Sequence, residues 1–434
     1  MSQATPLSDR RKIPTGWANV HLHGLVESLE SGISVGGEER ALSEGENAIL
    51  MVSAVTSGKF RATEAKAVGL AGIARLNKHV RADSVLVNRA NGSADLVGSA
   101  VYVCSGYRNL FLSDKLWQLR PKADRASAKF LSFLLSSPDF RRQVLMRSSG
   151  GTGMLNISSG SYLSIPVLAP PLSEQEAMAD ILNLWAIGAE RLVQLFDAKR
   201  ERKRGLMQQL LTGRKRFKEF KSERWQVFKL GELFSERVEM GRGDLPLVSI
   251  TGQNGVVPRD SLTKRDTSSE DKSKYLRIAP GDIGYNTMRM WQGVAGLSKL
   301  EGIVSPAYTI CIPSKRIDGQ LAAYLFKHTP VVHLFRRHSQ GLVDDTLALK
   351  FPNFAQIHVT IPDVPEQRRI AAVLSACDRE IELLQKQLEA LKEQKRGLMQ
   401  KLLTGEVRVK VGDTAECGMR SADLPRTGAT SGKD

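Results

Sequence analysis

Residues 203–213 read KRGLMQQLLTG and residues 395–405 read KRGLMQKLLTG. One phrase written twice, differing only at Gln209/Lys401, marks a duplicated element, and a repeat of that kind governs the fold before any local propensity does. The match runs back without a gap, 173–213 onto 365–405, and keeps Glu174/Glu366 and Gln175/Gln367 identical. In the second copy Ile370, Leu374, Cys377, Ile381, Leu384, Leu388, Leu391, Leu398 and Leu402 advance by alternating steps of four and three, with Lys395 in the one missing place. That spacing is the a/d seam of a coiled coil. The first copy carries Met178, Leu182, Trp185, Ala189, Leu192, Phe196, Leu206 and Leu210 in the same register, interrupted by Lys199 and Lys203.

The ends of both copies read as helix ends. Ser173 with Glu176, and Asp363 with Glu366, have capping-box spacing; Pro365 falls in a first turn, and Gly213 and Gly405 offer the left-handed stop. About 40 residues at roughly 1.5 Å each make rods of about 60 Å. Helices with so narrow an apolar stripe need a partner, so the two copies are expected to pair antiparallel. Gly205 and Gly397, each costing about 1 kcal/mol relative to Ala, mark either a close helix approach or a tolerated irregularity.

Working outward, residues 1–172 and 222–364 share an outline. Both open on W-x-x-[VF]-x-L-x-x-L, at 17–25 and 225–233, and both close on a short apolar run ending in proline, SIPVLAPP and HVTIPDVP. Inside lie strand-like runs, DSVLVN, SAVYVC, GDIGYN and PAYTICI, separated by Gly, Asn and Ser turns, and a helix before each close, KFLSFLLSS and QLAAYLFKH. The expected fold is two mixed α/β or α+β globules separated by two long helices. RKRFKEFK at 214–221 is a basic linker, read as a hydrophilic hinge or a backbone contact to nucleic acid. Residues 406–434 are expected to form a disordered tail.

A chain of 434 residues predicts two or three domains. The N-terminus, MSQATPLSDRRKIPTGW, has no apolar signal core and no eighteen-residue apolar run occurs, so a cytoplasmic protein is expected. Cys104, Cys311, Cys377 and Cys417 stand apart, without ligand spacing. The formal net charge of +16 is spread unevenly: 1–172 has 20 Lys and Arg against 13 Asp and Glu, while 173–213 has 6 of each. The excess therefore belongs to the globules and linker, where a phosphate backbone is the natural counter-charge; the bland alternative is plain solubility.

There is no GxxxxGK[ST] phosphate loop, no NPPY-like phrase and no Gly-rich loop opening a helix after a strand. A PD…ExK nuclease site drawn from Pro362, Asp363, Glu393 and Lys395 fails, because Glu393 lies some three dozen ångströms or more along a rod from Asp363 at about 1.5 Å per residue. His333 and His338 sit in a basic stretch and suit a surface better than a metal.

The arrangement resembles the specificity (S) subunit of a bacterial type I restriction–modification system over roughly residues 10–405. The resemblance is carried by PPLSEQ at 170–175 and VPEQRRIAAVL at 364–374, which open the rods, and by the RGLMQ phrases that close them. GTGMLNIS at 151–158, VNRANGSADLVG at 87–98, GDIGYNTMRMWQGVAG at 281–296 and GIVSPAYT at 302–309 add to it. It implies two target-recognition domains on a paired helical spacer with pseudo-two-fold design, acting without catalysis of their own on double-stranded DNA. It also implies two modification (methyltransferase) subunits and, for cleavage, two restriction/translocase subunits. S-adenosylmethionine, ATP and Mg would then belong to those partners, and no cofactor to this chain.

On that reading the target is bipartite and asymmetric with an unread middle, since recognition elements on successive major-groove faces lie about 34–36 Å apart. Base edges call for Arg, Lys, Asn or Gln on turns that enter the groove. Candidates are Arg89, Asn91 and Ser93; Thr152 and Asn156; Gln253 and Asn254; and Asn286, Arg289 and Gln292, each with a turn-forming role as the competing account. Met288, Met290 and Trp291 could equally be packed inside. Phosphate contacts would come from Lys59, Arg61, Lys78, Arg108, Lys264, Arg265, Lys272 and Lys274, each of which could also be a solvated surface charge. Three rival readings stay open: a coiled-coil interaction scaffold, an orphan S-like protein without its partners, and a standalone enzyme.

Overall fold

The structure, a computed structural model, describes residues 13–150, 153–252, 254–262, 269–343 and 346–410. Two long helices, the first rod (Leu172–Leu210) and the second rod (Val364–Leu403), stand where the repeat places them. The chain divides into two compact units. Unit 1 takes everything up to Glu190 together with the residues from Glu389 on, and unit 2 is Arg191–Leu388. Each unit therefore combines one globule with part of both rods.

Unit 1 is built on a four-stranded antiparallel sheet in the order Val26–Ser31, Leu116–Pro121, Ser84–Asn88, Ala100–Val103. Helices Ala128–Ser136 and Pro138–Arg147 follow it in sequence, and Ala128, Phe130, Leu131, Leu134, Phe140 and Val144 join its core. Opening strand Ala18–His21 pairs with closing strand Pro166–Ala169, tying the two ends of the globule together. A second sheet, Ala65–Ala67, Ala48–Leu50, Tyr107–Phe111, His79–Val80, encloses its own apolar cluster around Leu50, Val55 and Leu110.

Unit 2 repeats the plan. Its sheet runs Phe234–Glu236, Tyr308–Pro313, Ile283–Asn286, Ala295–Leu297, and Gln226–Lys229 pairs with His358–Ile361 as opening strand with closing strand. Helices Gly319–Leu325 and Thr329–His338 correspond to the helix pair of unit 1. Phe234, Tyr285, Phe326, Phe335 and Phe354 form its aromatic centre, with ring centroids 5.3–6.1 Å apart.

The predicted seam faces inward along its whole length. Met178, Leu182, Leu210, Ile370, Leu374 and Leu402 are buried, while Leu192, Leu206, Ile381, Leu384, Leu388, Leu391 and Leu398 are half-buried. Its ends belong to the globules: Leu182 and Leu402 to the core of unit 1, Leu210 and Leu374 to that of unit 2. Pairing is antiparallel, since in unit 2 Lys199 bonds Glu380 and Lys203 bonds Asp378, the numbers running in opposite directions. These contacts also explain the two lysines that interrupt the stripe, because each reaches a carboxylate of the facing helix.

Four local expectations change. The first rod begins at Leu172, so Ser173 lies inside its first turn instead of capping it. Glu366 is not a capping side chain; it is buried and committed to Arg216 and Trp225. The linker is anchored too, through Arg216 and through Phe217 packed on the core of unit 2. Residues 406–410 do not form a disordered tail, because Arg408 binds Glu174 and Val409 packs on the core of unit 1; residues 411–434 lie outside the described ones. Gly213 and Gly405 do adopt positive φ, +69° and +72°. Gly205 and Gly397 have open space where a Cβ would stand, so no close helix approach requires them.

Candidate nucleic-acid interface

Identical residues of the repeat build one joint in each unit. In unit 2 the Arg216 guanidinium donates to both oxygens of Glu366 (3.0 and 2.6 Å), and the Trp225 indole N–H donates to the same carboxylate (3.1 Å). In unit 1 Arg408 donates to both oxygens of Glu174 (2.7 and 2.9 Å), joined by the Trp17 indole (2.9 Å). Burial pushes the Glu174 carboxyl up, but Arg408 and Trp17 together outweigh it and hold the group below the usual carboxylate range. The neighbouring glutamines are used alike. Gln175 accepts from Ser127 N–H and donates to the carbonyls of Arg125 and Pro170; Gln367 accepts from Asp318 N–H and donates to those of Arg316 and Pro362. Each rod is thereby locked onto the globule that precedes it.

On this frame both units build the same clamp around a turn that follows the central strand. In unit 1, strand Ser84–Asn88 leads to Arg89, whose N–H donates to Lys115 O (2.9 Å) and whose carbonyl accepts from Ile157 N–H (3.1 Å). In unit 2, strand Ile283–Asn286 leads to Thr287, whose N–H donates to Ala307 O (3.0 Å) and whose carbonyl accepts from Leu349 N–H (2.8 Å). The segment after the helix pair closes by a bridge in each case, Ser149 with Asn156 and Gln340 with Ala348. Gly98 and Gly293, at φ +77° and +74°, end the two turns in a conformation that favours glycine.

The structure thus brings Arg89, Asn91, Ser93 and Asn156 together, through the ladder Leu155–Asn156 with Ala90–Asn91. Arg89 is a strut: its guanidinium lies 5.5 Å from the Trp117 ring centroid and donates to Asn156 Oδ1 (3.3 Å). Asn91 Oδ1 accepts from Ser93 N–H, closing an Asx turn, and Ser93 is exposed. Behind this turn Arg141 donates to Ser99 Oγ (3.2 Å) and to the Asp95 carbonyl. In unit 2 Asn286 Oδ1 accepts from Met288 N–H (3.0 Å), Met290 is buried, and Trp291 donates to Met288 O (3.0 Å) beneath the Arg336 guanidinium (5.3 Å). Met288, Arg289 and Gln292 remain exposed.

The remaining candidates are scattered. Asn254 is exposed at a hairpin tip, its N–H held by Thr251 Oγ1 (2.9 Å). Lys59 is paired with Glu190 (2.6 Å) and Lys78 with Glu30 (2.8 Å); Arg61 and Arg108 are exposed without an ion pair among the described residues. Lys272 lies over the Tyr275 ring (4.7 Å), and Lys274 is exposed beside Asp271. Thr152, Gln253, Lys264 and Arg265 fall outside the described residues. Among the described residues no group of three His, Cys, Asp or Glu side chains could hold a metal ion, and no helix is long and apolar enough to cross a membrane. Trp117, Trp291 and Arg336, which shape the two turns, and Arg408, which completes a joint, were absent from the sequence candidates.

Residues 307–393 match the family described as type I restriction modification DNA specificity domain. In sequence the chain is similar to specificity subunits of type I restriction–modification systems. The MjaVIII specificity subunit of Methanocaldococcus jannaschii is 25% identical over 305 residues, 64% of this chain and 70% of that one. The StySPI specificity subunit of Salmonella potsdam is 24% identical over 172 residues, 39% of this chain and 36% of that one. In fold, the chain is similar to the crystallised S subunit from M. genitalium (TM-score 0.54, 15% identity, 89% of this chain and 96% of that one). It is also similar to a chain solved in work on assembly and conformational transition of the type I system (TM-score 0.52, 16% identity, 92% of this chain and all of that one). The clamp built twice is thus a feature of a chain with the fold of a specificity subunit.

Proposed function

We propose that this chain reads DNA sequence for a type I restriction–modification complex, each unit meeting one half of a bipartite, asymmetric double-stranded target. The single observation that carries this is the clamp: one hydrogen-bonding plan in both units, holding turns of unlike sequence, NRANGSADLVG against NTMRMWQG. A rigid frame with variable chemistry at its edge is what sequence discrimination requires, because phosphate contacts position a protein while base contacts specify. The rods scaffold two modification subunits and, in the cleaving complex, two restriction/translocase subunits. Methyl transfer from S-adenosylmethionine and ATP- and Mg-dependent cleavage belong to those partners, and this chain contributes recognition without catalysis, in the cytoplasm.

Titration of the full chain onto duplex DNA over a range of salt tests the reading. Affinity should fall steeply and log-linearly with salt as neutralised phosphates release counterions. Association that ignores salt, or none with any duplex, would favour a protein-binding scaffold.

A further inference from the structure

Arg89 and Arg289 both lie in clamped turns, and their side chains have opposite fates. Arg89 is spent within unit 1 on Trp117 and Asn156. Arg289 projects from unit 2, exposed and without an ion pair among the described residues. Everything beneath it is fixed: Thr287 is bonded to Ala307, Leu349 and Thr309, Met290 is in the core, and Trp291 is pinned between Met288 O and the Arg336 guanidinium. The backbone that presents this side chain is already ordered, so binding need fix only the side chain itself.

Most of the turn's N–H groups are not available to a phosphate. Those at Met288, Arg289, Gln292, Gly293 and Val294 are already donated inside the turn, to Asn286, Arg289 and Met290. Arg289 is the one cation between Asn286 and Gly293, and its exposed neighbours Met288 and Gln292 are an apolar thioether and an amide, chemistry matched to base edges. A guanidinium has the fork geometry for the O6 and N7 acceptors of guanine. We infer that Arg289 reads one guanine in the half-site met by unit 2, while Arg89 reads no base. The inference rests on the proposed reading that unit 2 meets DNA.

The test uses the full chain on its own target duplex, with 7-deazaguanine replacing guanines one at a time in both half-sites. The unaltered chain should lose on the order of 10- to 100-fold in affinity at one guanine of a single half-site. Arg289→Ala should show a similar loss on the unmodified duplex and no further loss when that guanine is replaced, with its Tm unchanged because the side chain is exposed. Arg89→Ala should lower the Tm without coupling to any guanine. Equal loss by Arg289→Ala on every sequence, with a shallower salt dependence, would make Arg289 a phosphate contact and overturn the assignment. So would an Arg289→Ala protein as sensitive as the parent to every replacement. If the unaltered chain shows no preferred duplex at all, the inference and the reading beneath it both fail.

Discussion

Lys203 and Lys395 hold the same place in the two rods and meet opposite surroundings. Lys203 bonds Asp378 (2.5 Å), which also accepts from the Tyr324 hydroxyl (2.6 Å), and Lys199 adds a pair with Glu380 (2.8 Å). In unit 1 the repeat puts Ala186 where Asp378 stands, Gly188 for Glu380 and Leu391 for Lys199. Among the described residues Lys395 has no carboxylate partner; its ammonium group lies over the Phe133 ring (5.6 Å), and burial pulls its pKa below the usual lysine range. There Leu391 packs beside Gly188, at the ordinary van der Waals distance of 3.9 Å from where a Cβ would stand. One rod contact is held by charge, its counterpart by apolar packing. The Trp–Glu–Arg joints, by contrast, are the same in both units. The rods' attachment to the globules is built alike in the two units, whereas their attachment to each other differs.

Substitutions at the joints should show the largest effect. Glu366→Ala strands a guanidinium and an indole N–H, and should destabilise unit 2 by about 3 kcal/mol. Glu174→Ala should act on unit 1 in the same direction but less, because the Arg408 side chain is 42% exposed against 15% for Arg216. Hydrogen exchange resolved by unit would check both, and a loss spread evenly over the chain would contradict separate joints.

At the rods, Asp378→Ala should cost unit 2 about 1–2 kcal/mol through loss of the lysine and tyrosine partners. Lys395→Met should leave unit 1 unchanged or stabilise it by up to about 1 kcal/mol, since it removes a desolvated amine that has no anion among the described residues. Equal losses from the two substitutions would erase the contrast. The smallest effect is one of pH. The Glu174 carboxyl is held below its unfolded value of 4.5, so the stability it contributes is present above about pH 4.5 and is lost as the pH falls below it. Acid titration of unfolding should show a shallower loss for Glu174→Gln than for the parent.

Much of the architecture was legible because it is periodic. The seam from Ile370 to Leu402 follows from spacing alone, and repeated Gly213 and Gly405 mark both rod ends. The joints were half legible: Trp17/Trp225 and Glu174/Glu366 recur at matching places, but their pairing spans 157 and 141 residues, and a glutamate at a helix start suggests a cap before it suggests a tertiary bond. Arg408 was hidden among residues whose composition resembles a tail. At the turns, Asn, Gly and Arg gave the position without the direction. Whether an arginine folds back depends on Trp117 lying under Arg89, and no local signal carries that.

On the proposed reading, two independently framed recognition units share one chain. The decisive measurement is single-molecule methylome sequencing of a host expressing this chain with the proposed modification subunits, compared with a version whose 1–172 segment comes from a relative. A bipartite motif in which one half changes and the other stays is the predicted result. A contiguous motif, or replacement of both halves by the exchange, would contradict it.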